Sequence, residues 1–205
     1  MTRLRMQTDE GHLGGYILDG AAPGTWCPGV WDWAIHDLGV SSVIDVGCGL
    51  GYAAKYFKDH GCRVTGIEGS PTAVRDSAIP GDVVQYDYCD GPYIPAEAVD
   101  LIWSAEFVEH VEERFAGNFL TTFESATRYL MITYAAPGQG GHHHVNEQPE
   151  AYWLDRMSEI GFQKDAVLTS QARALVGDHP KIGKHFRARG LVFVNEPASR
   201  PGPRL

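Results

Sequence analysis

The sequence lacks a long apolar run: no stretch approaches the ~18 consecutive apolar residues that a membrane-spanning helix needs. The start, MTRLRMQTDE, places two arginines ahead of no apolar segment, which does not fit a secretory signal. Cys27, Cys48, Cys62 and Cys89 include no C-x-x-C pair, so they read as free thiols in a reducing compartment. A cytoplasmic protein without membrane attachment is the expectation. Positive charge is also scarce. Seventeen Lys and Arg stand against 26 Asp and Glu, a formal charge of −9. A duplex nucleic-acid binder carries the opposite balance, because phosphate contacts need cations. Lys181, Lys184, Arg187, Arg189, Arg200 and Arg204 form a local exception near the C-terminus, readable as a solvated tail and hairpin or as a small anion-binding patch.

What is present is an ordinary globular composition, 43% hydrophobic and 21% charged over 205 residues, enough to bury a core in one domain. Residues 1–25 are glycine-rich and weakly patterned, which suggests a mobile lead or lid. Pro28 opens a helix that Gly39 stops, because proline suits a first helical position and glycine a C-cap. Short apolar runs at 42–46, 63–67, 82–86, 99–103 and 129–134 read as strands. Helical spacing appears at 51–61, 112–127 and 149–161, and Ser70-Pro71 is an N-cap followed by proline. The runs 162–168 and 190–195 read as two last strands. The organisation expected is a lid and leading helix over 1–40, a main domain over 41–196 and a flexible tail over 197–205. Strands separated by such helices predict an α/β fold with a mainly parallel sheet covered on both faces. Ligands of these sheets bind beyond the C-terminal strand ends.

The motifs fall at those ends. The first strand runs into D45-V-G47-C-G49-L-G51 and then a helix, where glycines let the backbone approach a ligand closely. Tyr52 departs from the G-x-G-x-x-G of a dinucleotide site, which argues against an oxidoreductase. Asp45, two residues before the first glycine, suits a ligand bearing an ammonium or sulfonium rather than pyrophosphate. Glu68 ends the second strand, where a carboxylate can accept ribose hydroxyls, and Asp87 follows the third.

On these residues the chain resembles the Rossmann-like S-adenosylmethionine-dependent methyltransferases, from about Val43 to Val194. The resemblance implies a seven-stranded, mostly parallel sheet with an antiparallel edge hairpin. It also implies S-adenosylmethionine as cofactor: Asp45, Gly47, Cys48, Gly49 and Gly51 would hold its methionine part. Glu68 and Gly69 would take the ribose, Asp87 and Tyr88 the adenine side, and Ser104 would lie beneath the methionine.

After the fourth strand comes S-A-E106-F-V-E109-H110. Were this a helical turn, Glu106, Glu109 and His110 would share one face and offer an N/O ligand set, completed by a residue of the His142-His143-His144 loop. The alternative is a polar cluster that packs or orients substrate. E-x-x-E-H with a His-rich loop looks like the terminal-ribose 2′-O-methyltransferases of small RNAs, and E-x-x-E-H alone like ubiquinone-pathway O-methyltransferases. The first resemblance implies a divalent metal (Mg, Mn or Zn) on Glu106, Glu109, His110 and His143. Without a metal, His110, His143 or His144 would serve as general base. Trp31 and Trp33 are expected to pack the leading helix onto the sheet, whereas Trp26 and Tyr16 could face a sugar or aromatic acceptor. The reading is O-methylation of a small polar acceptor such as a sugar. RNA terminal-ribose methylation and a cofactor-holding, non-catalytic module are its alternatives.

Overall fold

The computed structural model describes residues 6–7, 11–17 and 23–195. The expected tail over 197–205, with Arg200 and Arg204, and the ring of Tyr16 lie outside the described residues. The strands and helices needed below, in chain order, are β1 (Met6–Gln7), β2 (Tyr16–Ile17), α1 (Pro28–His36), β3 (Ser42–Val46), α2 (Tyr52–Asp59), β4 (Arg63–Glu68), α3 (Pro71–Arg75), β5 (Val83–Gln85), β6 (Val99–Ser104), α4 (Ala116–Phe123), β7 (Ala126–Ile132), α5 (Glu150–Glu159), β8 (Phe162–Lys164), α6 (Ala166–Leu175), α7 (Lys184–Arg189) and β9 (Leu191–Asn195). No helix among the described residues is long and apolar enough to cross a membrane.

Strands β3 to β9 form one sheet of seven, ordered β5-β4-β3-β6-β7-β9-β8. The first five pair in parallel, and β9 runs antiparallel between β7 and β8. The central strand β3 is buried along its whole length, as a strand covered on both faces must be. Alternation divides the core into two layers. Ile44, Val46, Ile102, Leu130 and Ile132 face Phe119, Phe123, Trp153 and Met157 of α4 and α5. Val43, Leu101, Trp103, Met131 and Val192 face α1, α2, α6 and α7 through Trp31, Trp33, Phe57, Ala172 and Phe186. Asp45 lies between Ile44 and Val46, so the same alternation turns it towards α2. Trp31 and Trp33 are buried, with the Trp31 ring edge-on to Trp103 at 5.7 Å, and α1 is thereby fastened to the sheet.

Three expectations change. The run 162–168 is a strand only to Lys164, because the Asp165 carboxylate accepts the N–H groups of Val167 and Leu168, both at 2.9 Å, and starts α6. The helix expected over 112–127 is a one-turn 3₁₀ helix, Glu113–Phe115, followed by α4, because Ala126 already enters β7. Part of the basic segment forms helix α7 rather than a solvated hairpin. Its Phe186 is buried, and Arg187 donates to the carbonyls of Gly177 and His179 at 2.7 and 3.1 Å.

Candidate active site

A cavity of about 470 Å³ opens at the C-terminal ends of β3, β4 and β6. One end is built by the loop between β3 and α2. Gly47 and Cys48 donate their N–H groups to the carbonyl of Ile67, at 2.9 and 3.2 Å, which ties the loop to β4. Gly47 has φ +71°, and a Cβ there would lie 2.4 Å from the Phe107 ring, so only glycine lets the loop pass. Gly49, with φ +53°, donates to Glu68 Oε2 at 2.7 Å, and Ser70 N–H donates to Oε1 at 2.9 Å. Two backbone donors therefore fix the Glu68 carboxylate at the cavity wall.

Asp45 is buried and accepts from the Ala54 N–H at 3.2 Å. Burial pushes its carboxyl up to about 7, against the Ala54 hydrogen bond and with help from the Glu68 charge. The Cys48 thiol is pushed well above its ordinary value by burial and by the charges of Asp45 and Glu68, which leaves it a neutral wall residue. Asp87 goes the other way. Burial alone would raise it, but the Cys89 N–H at 2.8 Å and His12 Nε2 at 2.5 Å hold it below the usual carboxylate range. The Tyr88 hydroxyl donates to Thr122 Oγ1 at 3.0 Å and its ring borders the cavity.

Asp45, Gly47, Cys48, Gly49, Glu68, Gly69, Asp87 and Tyr88 thus meet at one cavity. Gly51, φ +74°, sits behind it at the start of α2. Ser104 is fully buried and its hydroxyl donates to the Val46 carbonyl at 3.1 Å, so its side chain joins β6 to β3 instead of facing the cavity.

The opposite end is assembled from loops. The segment after β6 makes a single turn, with His110 N–H donating to the Phe107 carbonyl at 2.9 Å. Glu106 precedes that turn in a left-handed conformation, φ +55°. Its carboxylate therefore leaves the face of Glu109 and His110, and meets His185 Nδ1 at 2.8 Å and the Thr133 hydroxyl at 2.9 Å. Burial works against the Glu106 charge, but these two partners keep the group below its ordinary value.

Glu109 is fully buried, and neither carboxyl oxygen has a hydrogen-bond partner among the described residues. Burial, reinforced by the Glu106 charge, pushes its carboxyl well above the ordinary value, so the proton stays on. Its backbone carbonyl accepts from Val145 and Asn146, at 3.0 and 3.1 Å, and anchors the histidine loop. His110 Nδ1 lies 3.2 Å from the His143 carbonyl, which requires the proton on Nδ1 and leaves the lone pair on Nε2. Burial first and His144 second push His110 down to about 4. His144 stands edge-on to His110 with ring centroids 5.1 Å apart, its Nδ1 at 3.3 Å from Glu147.

Donor atoms of Glu109, His110 and His144 come within 4.8 Å of one another. Glu106 and His143 of the expected ligand set stand outside this group: Glu106 pairs with His185, and His143 contributes its carbonyl from a left-handed residue, φ +52°. His12, Asp87 and Cys89 form a second such trio at the other end.

His12, Lys184 and His185 also border the cavity, Lys184 being one of the basic cluster that the sequence offers as an anion-binding patch. The only signal for the last two was the basic cluster near the C-terminus, and nothing local indicated that α7 reaches the site. Trp26 does border the cavity, edge-on to Trp31 at 5.0 Å.

The methyltransferase domain family matches residues 44–130, from β3 into β7. A probable chloroplastic tocopherol O-methyltransferase of Oryza sativa subsp. japonica is 28% identical over 110 residues, 45% of this chain and 29% of that protein. The chain thus matches well under half the length of this curated relative. The magnesium protoporphyrin IX methyltransferase of Synechocystis PCC 6803, solved with S-adenosylmethionine bound, superposes with a TM-score of 0.58 at 18% identity, covering 82% of this chain and 76% of that one. The sugar N-methyltransferase KedS8 from Streptoalloteichus sp ATCC 53650 gives 0.60 at 16% identity, covering 87% and 88%. The fold is that of the class I S-adenosylmethionine-dependent methyltransferases.

Proposed function

We propose that this protein transfers a methyl group from S-adenosylmethionine to a hydroxyl of a small polar acceptor, a sugar or sugar-containing metabolite being the first choice. The observation that carries the reading is the polarity of one cavity. Carboxyls from three neighbouring strand ends, Asp45, Glu68 and Asp87, line one end, and imidazoles line the other. The residues fit the cofactor. Gly47 and Gly49 bring the loop's backbone to the cavity wall, and the buried Asp45 carboxyl, held near 7, is ready to ionise beside a cation. When bound, S-adenosylmethionine supplies an electrophilic methyl group on a sulfonium. Glu68, oriented by Gly49 and Ser70, would accept from the ribose hydroxyls, and Asp87 would stand on the adenine side. At the far end the acceptor hydroxyl meets imidazoles that can take its proton, while the walls hold it in line for displacement. The rice protein's name describes an O-methyltransferase and the Streptoalloteichus protein's a sugar N-methyltransferase, so the two names agree with a small acceptor and differ in the atom methylated. The test is calorimetric titration with S-adenosylhomocysteine, followed by a labelled-methyl screen of hydroxylated metabolites. Micromolar binding and a product methyl ether are expected. Binding without any methylated product would favour a cofactor-holding module, and a methylated amine would move the reading to nitrogen.

A metal-assisted variant rests on one observation, the two unpaired oxygens of buried Glu109 within reach of His110 and His144. These three residues would hold Mg²⁺, Mn²⁺ or Zn²⁺, which would lower the pKa of a hydroxyl bound to it. Divalent-metal calorimetry on the wild type and on His110→Ala decides this, since only a site built from these donors loses binding in the variant.

A further inference from the structure

The reading above leaves the proton acceptor among several imidazoles, and their surroundings separate them. His110 has its Nδ1 at the His143 carbonyl and its ring edge-on against His144, with donor atoms of both and of buried Glu109 within 4.8 Å, so it belongs to that cluster. His144 has its Nδ1 towards Glu147, whose carboxylate already accepts the N–H groups of Gly138 and Gly140 at 2.8 and 2.6 Å. The Nε2 edge of His144 rests on Gly141, where a Cβ would come within 2.2 Å, and Gly141 does not border the cavity. His185 differs on both counts. Its Nδ1 meets a charged, half-buried partner, Glu106, at 2.8 Å, and Glu106 is itself fixed by the Thr133 hydroxyl. Its Nε2 edge rests on Gly24, which does border the cavity.

Gly24 has no positive φ, so its backbone does not require glycine. Its lack of a side chain serves space instead. A Cβ at position 24 would lie 2.4 and 2.5 Å from Cδ2 and Nε2 of His185 and would cover the edge that carries the lone pair. The ring is held from behind as well. Phe186, the next residue, stacks on Trp103 with centroids 5.1 Å apart, and Gly183 N–H donates to the Pro23 carbonyl at 2.8 Å. The groups facing His185 are Glu106 after β6, Lys184 and Arg189 on α7, and Tyr134 after β7, around an adjoining pocket of about 330 Å³. The strap at Pro23–Thr25 adds no titratable side chain.

We propose that His185 is the catalytic base of the methyl transfer and that Glu106 is its positioning residue. The acceptor O–H bond breaks towards His185 Nε2, and the oxygen's electron pair forms the new bond to the methyl carbon. The electrons of the old sulfur–methyl bond return to sulfur, leaving a thioether, and the imidazolium is balanced by the Glu106 carboxylate before it releases its proton to water. This assignment rests on the methyl-transfer reading, and the experiment separates the two.

Wild type, His185→Gln, Glu106→Ala and Gly24→Ala are compared first by S-adenosylhomocysteine titration and circular dichroism. If the wild type binds no cofactor product, the methyl-transfer reading itself fails. With binding in hand, nitrogen-resolved NMR of the histidine rings reports the His185 tautomer. Protonation at Nδ1 is expected in the wild type, and a mixture of tautomers in Glu106→Ala. A wild-type ring protonated at Nε2 overturns the proposal whether or not an acceptor has been found. On an acceptor from the screen, His185→Gln should lower kcat about 100-fold or more, the ordinary contribution of a general base, with KM nearly unchanged. Gly24→Ala should lower kcat in the same direction while the fold is kept. A His185→Gln enzyme that keeps wild-type kcat overturns the assignment.

Discussion

The two ends of the cavity are built on different principles. At the proposed cofactor end the three acids sit in or just beyond neighbouring strands: Asp45 in β3, Glu68 closing β4 and Asp87 two residues beyond β5. A parallel sheet brings such ends together by its topology alone, so the spacing of the acids already implies their meeting. At the acceptor end the contacts join distant stretches of chain. Glu106 meets His185, His110 meets the His143 carbonyl, and the Cβ position of Gly14 lies 2.7 Å from His110 Nδ1. On the proposed reading, the cofactor would be held by the part that topology guarantees, while the part that meets the acceptor would depend on how loops and a late helix lie.

The sharpest way to separate the ends is to destroy one. Gly49→Val forces a β-branched residue into φ +53° and moves the N–H that orients Glu68. Affinity for S-adenosylhomocysteine should fall at least about 100-fold, close to 2.7 kcal/mol at 1.36 kcal/mol per decade. Nitrogen-resolved NMR should show His185 and His144 unchanged. Altered histidine spectra would mean that the two ends are one cooperative unit.

Asp45 tests whether the cofactor end is tuned by charge. Its folded pKa, about 7, is raised above the ordinary 3.8, so its stabilising effect is complete at low pH and is lost as pH rises towards 7. Asp45→Asn should therefore stabilise the ligand-free protein at pH 8, by about 4 kcal/mol on the linkage between pKa and stability, read from denaturant melts. Cofactor affinity in the wild type should rise between pH 6 and 8, because an ionised Asp45 favours a cationic ligand, and the Asn variant should lose that dependence. A flat wild-type profile would remove Asp45 from cation binding.

The smallest effect is expected from the acceptor end. Glu109→Met removes a buried carboxyl whose oxygens have no partner among the described residues. The variant should gain about 1–2 kcal/mol near neutral pH, where the raised pKa makes the acid costly to keep folded. A loss instead of a gain, together with lost divalent-metal binding, would show that a cation satisfies Glu109.

These contrasts also explain what could be read in advance. The strands at 42–46, 63–67 and 99–103 and the glycine loop were legible because apolar runs and glycine spacing are local facts. The first residues of the helix at Ala166–Leu175 fall within the expected strand run 162–168, because Val167 and Leu168 are apolar and follow a real strand. The signal that mattered was Asp165 as a cap. The i, i+3, i+4 spacing of Glu106, Glu109 and His110 presupposed helical backbone, and one left-handed residue at Glu106 removed that premise. His185 was out of reach because its place depends on α7 packing against the sheet through Phe186, a contact between residues far apart in the chain.

That same Phe186 stack has an evolutionary consequence. Removing a buried phenylalanine costs about 3–5 kcal/mol, a large part of the 5–15 kcal/mol that keeps an ordinary domain folded. Because Phe186 adjoins His185, a lineage that drifts at α7 would lose foldedness and chemistry in one step. Variation in acceptor choice would then be channelled into positions such as Thr25, His142 and His144, which border the same cavity without carrying the core.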